Sequence, residues 1–197
     1  MKRTVTFGEI MLRLKTPEHM RILQTDAFEA SYGGAEANVA VSLAVLKDPV
    51  SFVTKLPENP VGTAALNEVR RYGADTSKVV IGGSRLGIYF FEKGTDIRPT
   101  NVVYDREGSA LALAKPEEFH WDEILKDTDI FYFSGVTPAV SENIAKAVLE
   151  ALKYCKAHGI ETVCDLNYRS KMWDTKKAQS VMSELMNYVT LCIANDE

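Results

Sequence analysis

Strand-like and helix-like segments alternate along most of this chain of 197 residues, and this alternation limits the folds open to it. Apolar and β-branched runs predict strands over 4–10, 50–54, 79–81, 129–135, 161–167 and 189–195. The helical spacing of apolar residues predicts helices over 36–46, 61–72, 142–157 and 175–188. Strands that alternate with helices favour a parallel sheet with crossover helices, so we predict an α/β fold.

The stretch from 83 to 128 interrupts this alternation. Residues 86–92 and 101–106 are rich in strand-forming side chains, and turn residues fill the segment between them. This pattern predicts an antiparallel ribbon inserted into the α/β body, followed by a short helix over 117–125. An exposed ribbon needs a cover for its apolar face, and a second subunit is the simplest cover.

The bulk composition argues against several classes of function. The formal net charge is -4 and the basic residues are scattered, so we expect no surface for nucleic acid. The three cysteines and three histidines lack the spacing of a disulfide framework or a zinc site, and we predict no metal site. No apolar run is long enough for a signal peptide or a membrane span, which favours a cytoplasmic protein without a membrane partner.

Polar residues follow four of the predicted strands, at Gly8-Glu9, Ser134-Gly135, 165–169 and 195–197. Open parallel sheets bind ligands beyond the carboxyl ends of their strands, where helix N-termini also point. The two-residue period of a strand predicts that Asp165 and Asn167 point the same way. Arg169 follows them, and its guanidinium could fork onto a carboxylate or phosphate. The alternative is a structural salt bridge between Asp165 and a nearby Lys or Arg.

A glycine pair and the ribbon add further candidate residues. Gly33 and Gly34 precede the first predicted helix and either admit a ligand close to the backbone or merely allow a tight turn. Tyr89 and Tyr104 offer flat ring faces and hydroxyls that suit a sugar, and Arg106 could reach an acidic group. The alternative for the ribbon is routine aromatic packing between two strands.

These segments together resemble the ribokinase-like (PfkB) family of carbohydrate kinases. The sequence GGAEANVAVSLAVL at 33–46 is similar to the N-terminal signature of the family, in which a glycine pair and an asparagine bracket the sugar. Further family motifs are matched by FVTKLPENPVG at 52–62, DLNYR at 165–169 and IANDE at 193–197. The resemblance covers essentially the whole chain. It implies a ribokinase-like parallel sheet with a small β lid, formed by 12–32 and 84–112, that makes a homodimer.

Within the family, GEIMLRL at 8–14 and VVYDREGSALA at 102–112 resemble the 2-keto-3-deoxygluconate kinases. This resemblance implies ATP-dependent phosphorylation of the terminal hydroxyl of that sugar acid, with Mg²⁺ on the phosphates. The sugar acid would contact Gly34, Tyr89, Tyr104, Arg106, Asn167 and Arg169. The nucleotide would contact Asn167, Arg169 and Asn195. The alternatives are a fructokinase or other neutral-sugar kinase, and a non-catalytic sugar-binding fragment.

The sequence departs from the family pattern at several positions. Lys47 stands where a glycine usually follows the signature helix, and the G-x-D-x-x-G stretch reads PENPVG at 57–62. The G-A-G-D motif, which carries the catalytic base of the family, does not occur in the sequence. The resemblance therefore implies no catalytic residue in this chain. We expect it to be the N-terminal part of a kinase and to be inactive by itself.

Overall fold

A computed structural model describes residues 2–195 of the chain. Most of its strands belong to a main sheet and a small sheet. The strands are β1 (Thr4–Phe7), β2 (Met11–Lys15), β3 (Glu29–Gly33), β4 (Val50–Val53), β5 (Lys55–Leu56), β6 (Val80–Ile81), β7 (Ile88–Glu92), β8 (Asn101–Asp105), β9 (Ile130–Ser134), β10 (Glu161–Asp165) and β11 (Leu191–Ile193). The helices are α1 (Ala35–Val45), α2 (Pro60–Arg70), α3 (Trp121–Ile124), α4 (Val136–Val140), α5 (Glu142–His158) and α6 (Thr175–Met186). Asp196 and Glu197, which belong to the polar segment that follows the last predicted strand, lie outside the described residues.

The main sheet consists of parallel strands in the order β11-β10-β9-β1-β4. β1 lies between β9 and β4, and its Thr6 pairs with Tyr132 and Phe52. All residues of β1 are buried, which explains why its sequence contains only apolar and β-branched side chains. This sheet and its covering helices confirm the predicted α/β fold.

Helices cover both faces of the main sheet. Successive strand residues point to opposite faces, and on β4 Phe52 and Val53 belong to different apolar clusters. The cluster around Val53 contains the buried apolar stripe of α5, whereas the cluster around Phe52 contains that of α1. Ser141 and Gly159 bound α5 as its cap residues. No helix within residues 2–195 is long and apolar enough to cross a bilayer.

Two predicted elements differ from the structure. β6 does not extend the main sheet but pairs with β5 in a separate two-stranded sheet. The edge beside β4 is already occupied, because the backbone of Asp75 hydrogen bonds to that strand. The helix predicted over 117–125 is split into a 3-10 turn at Pro116–Glu118 and the short α3. Phe119 separates them, since its backbone is extended and its ring is buried in the core.

The small sheet has the strand order β3-β2-β7-β8 and is antiparallel except between β2 and β7. Its strands span 11–33 and 88–105, within or next to the two stretches assigned to the lid. One row of paired residues across the sheet consists of Ser31, Arg13, Tyr89 and Tyr104. The adjacent row, on the opposite face, consists of Ala30, Leu14, Phe90 and Val103. The sheet therefore has one polar, aromatic face and one apolar face.

Helix α1 ends at a left-handed residue that is not glycine. Lys47 has a φ of +69°, and its backbone N–H donates to the carbonyl oxygen of Ala44 at 3.0 Å. The N–H of Asp48 donates to the carbonyl oxygen of Leu43, also at 3.0 Å. These are the two hydrogen bonds of a Schellman motif, whose left-handed position favours glycine. The unusual Lys47 therefore occupies a strained backbone position.

Replacing Lys47 with glycine should stabilise the protein. Glycine has no Cβ to clash in left-handed backbone, so we expect Lys47→Gly to raise the free energy of unfolding by about 1 kcal/mol. The side chain is exposed, so little packing is lost. Lys47→Ala retains the Cβ and is the matched control, with an expected change below about 0.5 kcal/mol. Urea unfolding measures both variants, and equal effects would contradict the explanation.

Candidate functional site

A cavity of about 770 Å³ lies between the small sheet and the carboxyl end of the main sheet. The residues predicted to bind a sugar acid all line it: Gly34, Tyr89, Tyr104, Arg106, Asn167 and Arg169. Asn195 follows β11 and does not line the cavity. The fold thus brings together residues that are far apart in the sequence, at the sheet edge where ligands bind in open parallel sheets.

The polar face of the small sheet forms one wall of the cavity. Arg13, Tyr89 and Tyr104 are neighbours across β2, β7 and β8, and the centroids of the two tyrosine rings are 5.8 Å apart. Burial raises the pKa of the Tyr89 hydroxyl, which therefore stays protonated and can donate a hydrogen bond at neutral pH. This wall offers apolar ring faces and hydroxyls, a combination suited to a sugar.

Arg106 forms an ion pair inside the protein. Its guanidinium donates to the carboxylate of Glu9, which also accepts a hydrogen bond from Ser109 Oγ at 3.3 Å. Burial raises the pKa of the Glu9 carboxyl, and Arg106 opposes that rise. The sequence suggests Arg106 as a partner for an acidic substrate, but its charge already has a counter-ion. Sequence reasoning identified Glu9 only as the end of a strand.

Asp165 and Asn167 both line the cavity, although not through the strand period predicted for them. β10 ends at Asp165, and Asn167 has left-handed backbone with a φ of +35°. The Asn167 N–H donates to Asp165 Oδ1 at 3.1 Å, which closes a turn that asparagine tolerates well. Within residues 2–195, Asp165 forms no ion pair, so the alternative of a strand-end salt bridge is not found.

The two glycines before α1 differ in whether the structure requires glycine there. A Cβ at Gly34 would lie 1.8 Å from the carbonyl oxygen of Glu9, so only glycine lets α1 begin this close to the chain that follows β1. A Cβ at Gly33 would meet only Asn38 Oδ1, at 3.6 Å. Close packing against the protein backbone therefore explains Gly34, whereas a Cβ at Gly33 would be accommodated at ordinary contact distance.

Glu36 is a fully buried carboxyl in the first turn of α1. Its Oε1 accepts hydrogen bonds from the N–H and hydroxyl of Ser134, at 2.9 and 2.6 Å, and from the hydroxyl of Thr137 at 2.9 Å. Burial raises the pKa of Glu36, and these hydrogen bonds oppose the rise. Glu36 thus ties α1 to β9 and α4. Ser134 lies at the end of β9, as the sequence indicates, but it binds Glu36 and does not line the cavity.

The cavity carries an excess of positive charge. Its charged lining residues are Arg13, Arg106, Arg169, Lys171, Glu9 and Asp165. Four cations against two anions leave a formal charge of +2, although the whole chain has a net charge of -4. In the described part of the chain, no group of three or more His, Cys, Asp or Glu side chains could hold a metal ion. The excess positive charge of the cavity favours an anionic ligand.

Several lining residues were missed by sequence reasoning. Arg13 alternates with Leu12 and Leu14 in β2, the pattern of a half-buried strand, and that pattern could have identified it. Tyr132 lies in the apolar run of β9, where the sequence pattern does not distinguish it from the neighbouring core residues. Lys171 lies in the irregular segment after β10, whose course cannot be read from periodicity.

Known proteins share this architecture. The model of the pfkB family carbohydrate kinases matches residues 1–197. The 2-dehydro-3-deoxygluconokinase of Thermotoga maritima has a crystal structure that is 48% identical, with a TM-score of 0.97, over 100% of this chain and 60% of its own. A PfkB family carbohydrate kinase from Listeria grayi is 37% identical, with a TM-score of 0.96, over 99% of this chain and 61% of its own. The 2-dehydro-3-deoxygalactonokinase of Haloferax volcanii is 39% identical over 190 residues, which are 96% of this chain and 59% of the relative.

The fold with these structural neighbours is the ribokinase-like fold, a parallel sheet flanked by helices. The match over the whole sequence is more specific than the fold. This chain belongs to the PfkB family of carbohydrate kinases, which confirms the resemblance found in its motifs. It spans about three fifths of the length of the relatives described above.

Replacing the buried Glu36 carboxyl with an amide should change how stability depends on pH. A carboxyl with a raised pKa binds its proton more tightly in the folded than in the unfolded chain. Its contribution to stability therefore falls as the pH rises above the ordinary value of 4.5, and levels off above the folded pKa. Glutamine is isosteric, keeps an oxygen acceptor and does not titrate. We expect Glu36→Gln to gain stability relative to the wild type as the pH rises from mildly acidic to neutral.

Urea unfolding at a series of pH values measures this difference. Glu150→Gln is the matched control, because Glu150 is an exposed residue of α5. A stability difference between wild type and Glu36→Gln that is constant with pH would contradict the assignment of a raised pKa to Glu36.

Proposed function

We propose that the protein phosphorylates the terminal hydroxyl of 2-keto-3-deoxygluconate, with ATP as the phosphoryl donor. The observation that carries the proposal is the positively charged cavity, whose walls supply arginines and tyrosine hydroxyls together. A sugar acid has both hydroxyls and a carboxylate, so it matches this cavity better than a neutral sugar does. The Thermotoga and Haloferax relatives are named as kinases of 2-dehydro-3-deoxy sugar acids, which are substrates of this class.

The sugar acid is held from several sides of the cavity in this proposal. Tyr89, Tyr104 and Arg106 contact it from the small sheet, and Gly34 contacts it at the start of α1. Asn167 and Arg169 contact it from the segment after β10 and also approach the transferred phosphoryl group, onto which a guanidinium can fork. Phosphoryl transfer depends mainly on positioning and charge neutralisation, which these contacts would supply.

ATP and Mg²⁺ enter the proposal through the family. Mg²⁺ usually binds to substrate phosphates with few protein ligands, and it neutralises charge there. The described residues contain no cluster of metal-ligating side chains, which fits a metal held mainly by the nucleotide. Asn195 is the candidate for placing the nucleotide and its metal, through water. No residue of this chain is assigned as the catalytic base.

The epimeric acid 2-keto-3-deoxygalactonate is a second candidate substrate. The Haloferax relative is named for a 2-dehydro-3-deoxygalactonate kinase, and the epimer carries the same carboxylate.

Phosphorylation of fructose or another neutral sugar is the alternative function with the same chemistry. Such a sugar would leave the excess charge of the cavity without a counter-ion. The alternative from a different class is a sugar-binding protein without catalysis.

Turnover measurements on the full-length gene product test the proposed function. A coupled assay of ADP release should show kcat/KM for the sugar acids at least about 100-fold above that for fructose, since a buried charge without a partner is costly. Tyr104→Phe should raise KM for the acid about 3- to 10-fold, through the loss of one hydrogen bond. Tyr72→Phe, at an exposed position outside the cavity, is the control. Preference for fructose, or binding without turnover, would contradict the proposal.

The small sheet is proposed as a lid that forms a homodimer, over residues 12–32 and 84–112. Its apolar face carries Phe90 against Phe28, with ring centroids 5.6 Å apart, and Val103 with 47% exposure. A second copy of this face would remove the apolar row from water. The strand edges would also be protected by such an arrangement.

A charge on the apolar face should dissociate the dimer. Val103→Glu places a carboxylate in the proposed interface, so sedimentation should show the full-length protein changing from dimer to monomer at about micromolar concentration. Val45→Glu, at an exposed position on α1, is the matched control and should remain a dimer. A wild type that sediments as a monomer would exclude the lid dimer.

A further inference from the structure

Arg13 is an arginine of the small sheet whose charge has no counter-ion in the described protein. Among residues 2–195, no carboxylate oxygen lies within 4 Å of its side-chain nitrogens, whereas Arg106 is paired with Glu9. The Arg13 Nε is buried and has no acceptor within the same residues. Its side chain lines the cavity. A partly buried guanidinium without a counter-ion is costly, so this position favours an anion that enters from outside.

The Arg13 side chain is held in place before any ligand binds. Its guanidinium carbon lies 4.2 Å from the centroid of the Phe91 ring, a cation–π contact. Strand β2 is paired on both sides, so the backbone of Arg13 is fixed between Ser31 and Tyr89. Tyr89 is the cross-strand neighbour of Arg13 on the same face of the sheet, and the Arg13 charge opposes the rise that burial causes in the pKa of Tyr89. A guanidinium fixed in this way loses little freedom when it binds an anion.

We propose that Arg13 binds the carboxylate of the sugar acid and thereby sets the preference for an acidic over a neutral sugar. The inference rests on the proposed function and names the residue that recognises the acid group. Arg106 is less suited to this task, because Glu9 already balances its charge. The planar fork of Arg13 matches the two oxygens of a carboxylate. Tyr89 and Tyr104, next in the same row, then lie along the hydroxyl-bearing part of the sugar.

Two substrates that differ only in charge test this role on the full-length gene product. They are 2-keto-3-deoxygluconate and its primary amide. Arg13→Met removes the charge but leaves an unbranched side chain against Phe91. We expect KM for the acid to rise about 10- to 100-fold while kcat changes by less than about 3-fold. The KM for the amide should change by less than about 3-fold, because the amide offers no charge to lose.

Two further variants complete the design. Arg13→Lys retains the charge without the fork, and its KM for the acid should lie between those of the wild type and Arg13→Met. Arg71→Met removes an exposed arginine outside the cavity and outside the lid, and both of its KM values should match the wild type. Thermal unfolding shows whether each variant is folded. If Arg13→Met does not fold, Arg13→Lys takes its place in the test. A rise in KM for the acid without a rise in KM for the amide then supports the role of Arg13, and equal changes contradict it.

The outcomes separate this inference from the proposed function. A wild type that does not phosphorylate the acid would overturn both. A wild type active on the acid, with Arg13→Met unaffected, would overturn only the role of Arg13. Equal losses on acid and amide would also overturn that role, because they would show that Arg13 supports the sheet or Tyr89 rather than binding the carboxylate.

Discussion

The buried ion pair between Glu9 and Arg106 joins the two sheets at the cavity. Glu9 follows β1 of the main sheet, and Arg106 follows β8 of the small sheet. Their side chains are only 4% and 19% exposed. Charges withdrawn from water in this way are costly unless each compensates the other, so the pair holds the end of β8 against the end of β1. The geometry of the cavity wall depends on this contact.

The same ion pair decides which charges remain available inside the cavity. With Arg106 balanced by Glu9, the remaining cations are Arg13, Arg169 and Lys171. Lys171 also donates to the carbonyl oxygen of Val102 at 3.1 Å, which connects the segment after β10 to the small sheet. Cations therefore line the cavity from both sheets, and an anion between them gains from each.

Much of the fold could be predicted because the longer elements carry their own boundaries. Ser141 and Gly159 start and end α5, and Asp174 caps α6, so local chemistry agrees with the final structure. The failures concern short segments. β6 and the region around Phe119 take their conformation from tertiary contacts, which outweigh the weak local preferences of a few residues.

The site was predictable to the extent that topology alone determines it. Parallel strands end at one edge, so Asn167 and Arg169 could be placed near the glycine pair without knowing any contact. Individual partners could not be predicted, since they depend on distances of a few ångströms between remote parts of the chain. The pairing of Arg106 with Glu9 and the binding of Ser134 by Glu36 are of this kind.

The signature motif itself combines residues with different physical tasks. A Cβ at Gly33 would be accommodated, whereas Gly34 lets the backbone of Glu9 approach closely. Glu36 is buried away from solvent and accepts hydrogen bonds from the protein. A motif match treats these positions as one feature, although Gly34 and Glu36 already have structural explanations. Substitutions at Glu36 would affect the site indirectly, by shifting α1, because the Glu36 carboxyl group holds that helix to β9 and α4. Arg13 lies outside the signature, yet its unpaired charge faces the cavity. An unbalanced charge that faces the cavity is therefore a second criterion for choosing candidate ligand contacts, besides membership of the motif.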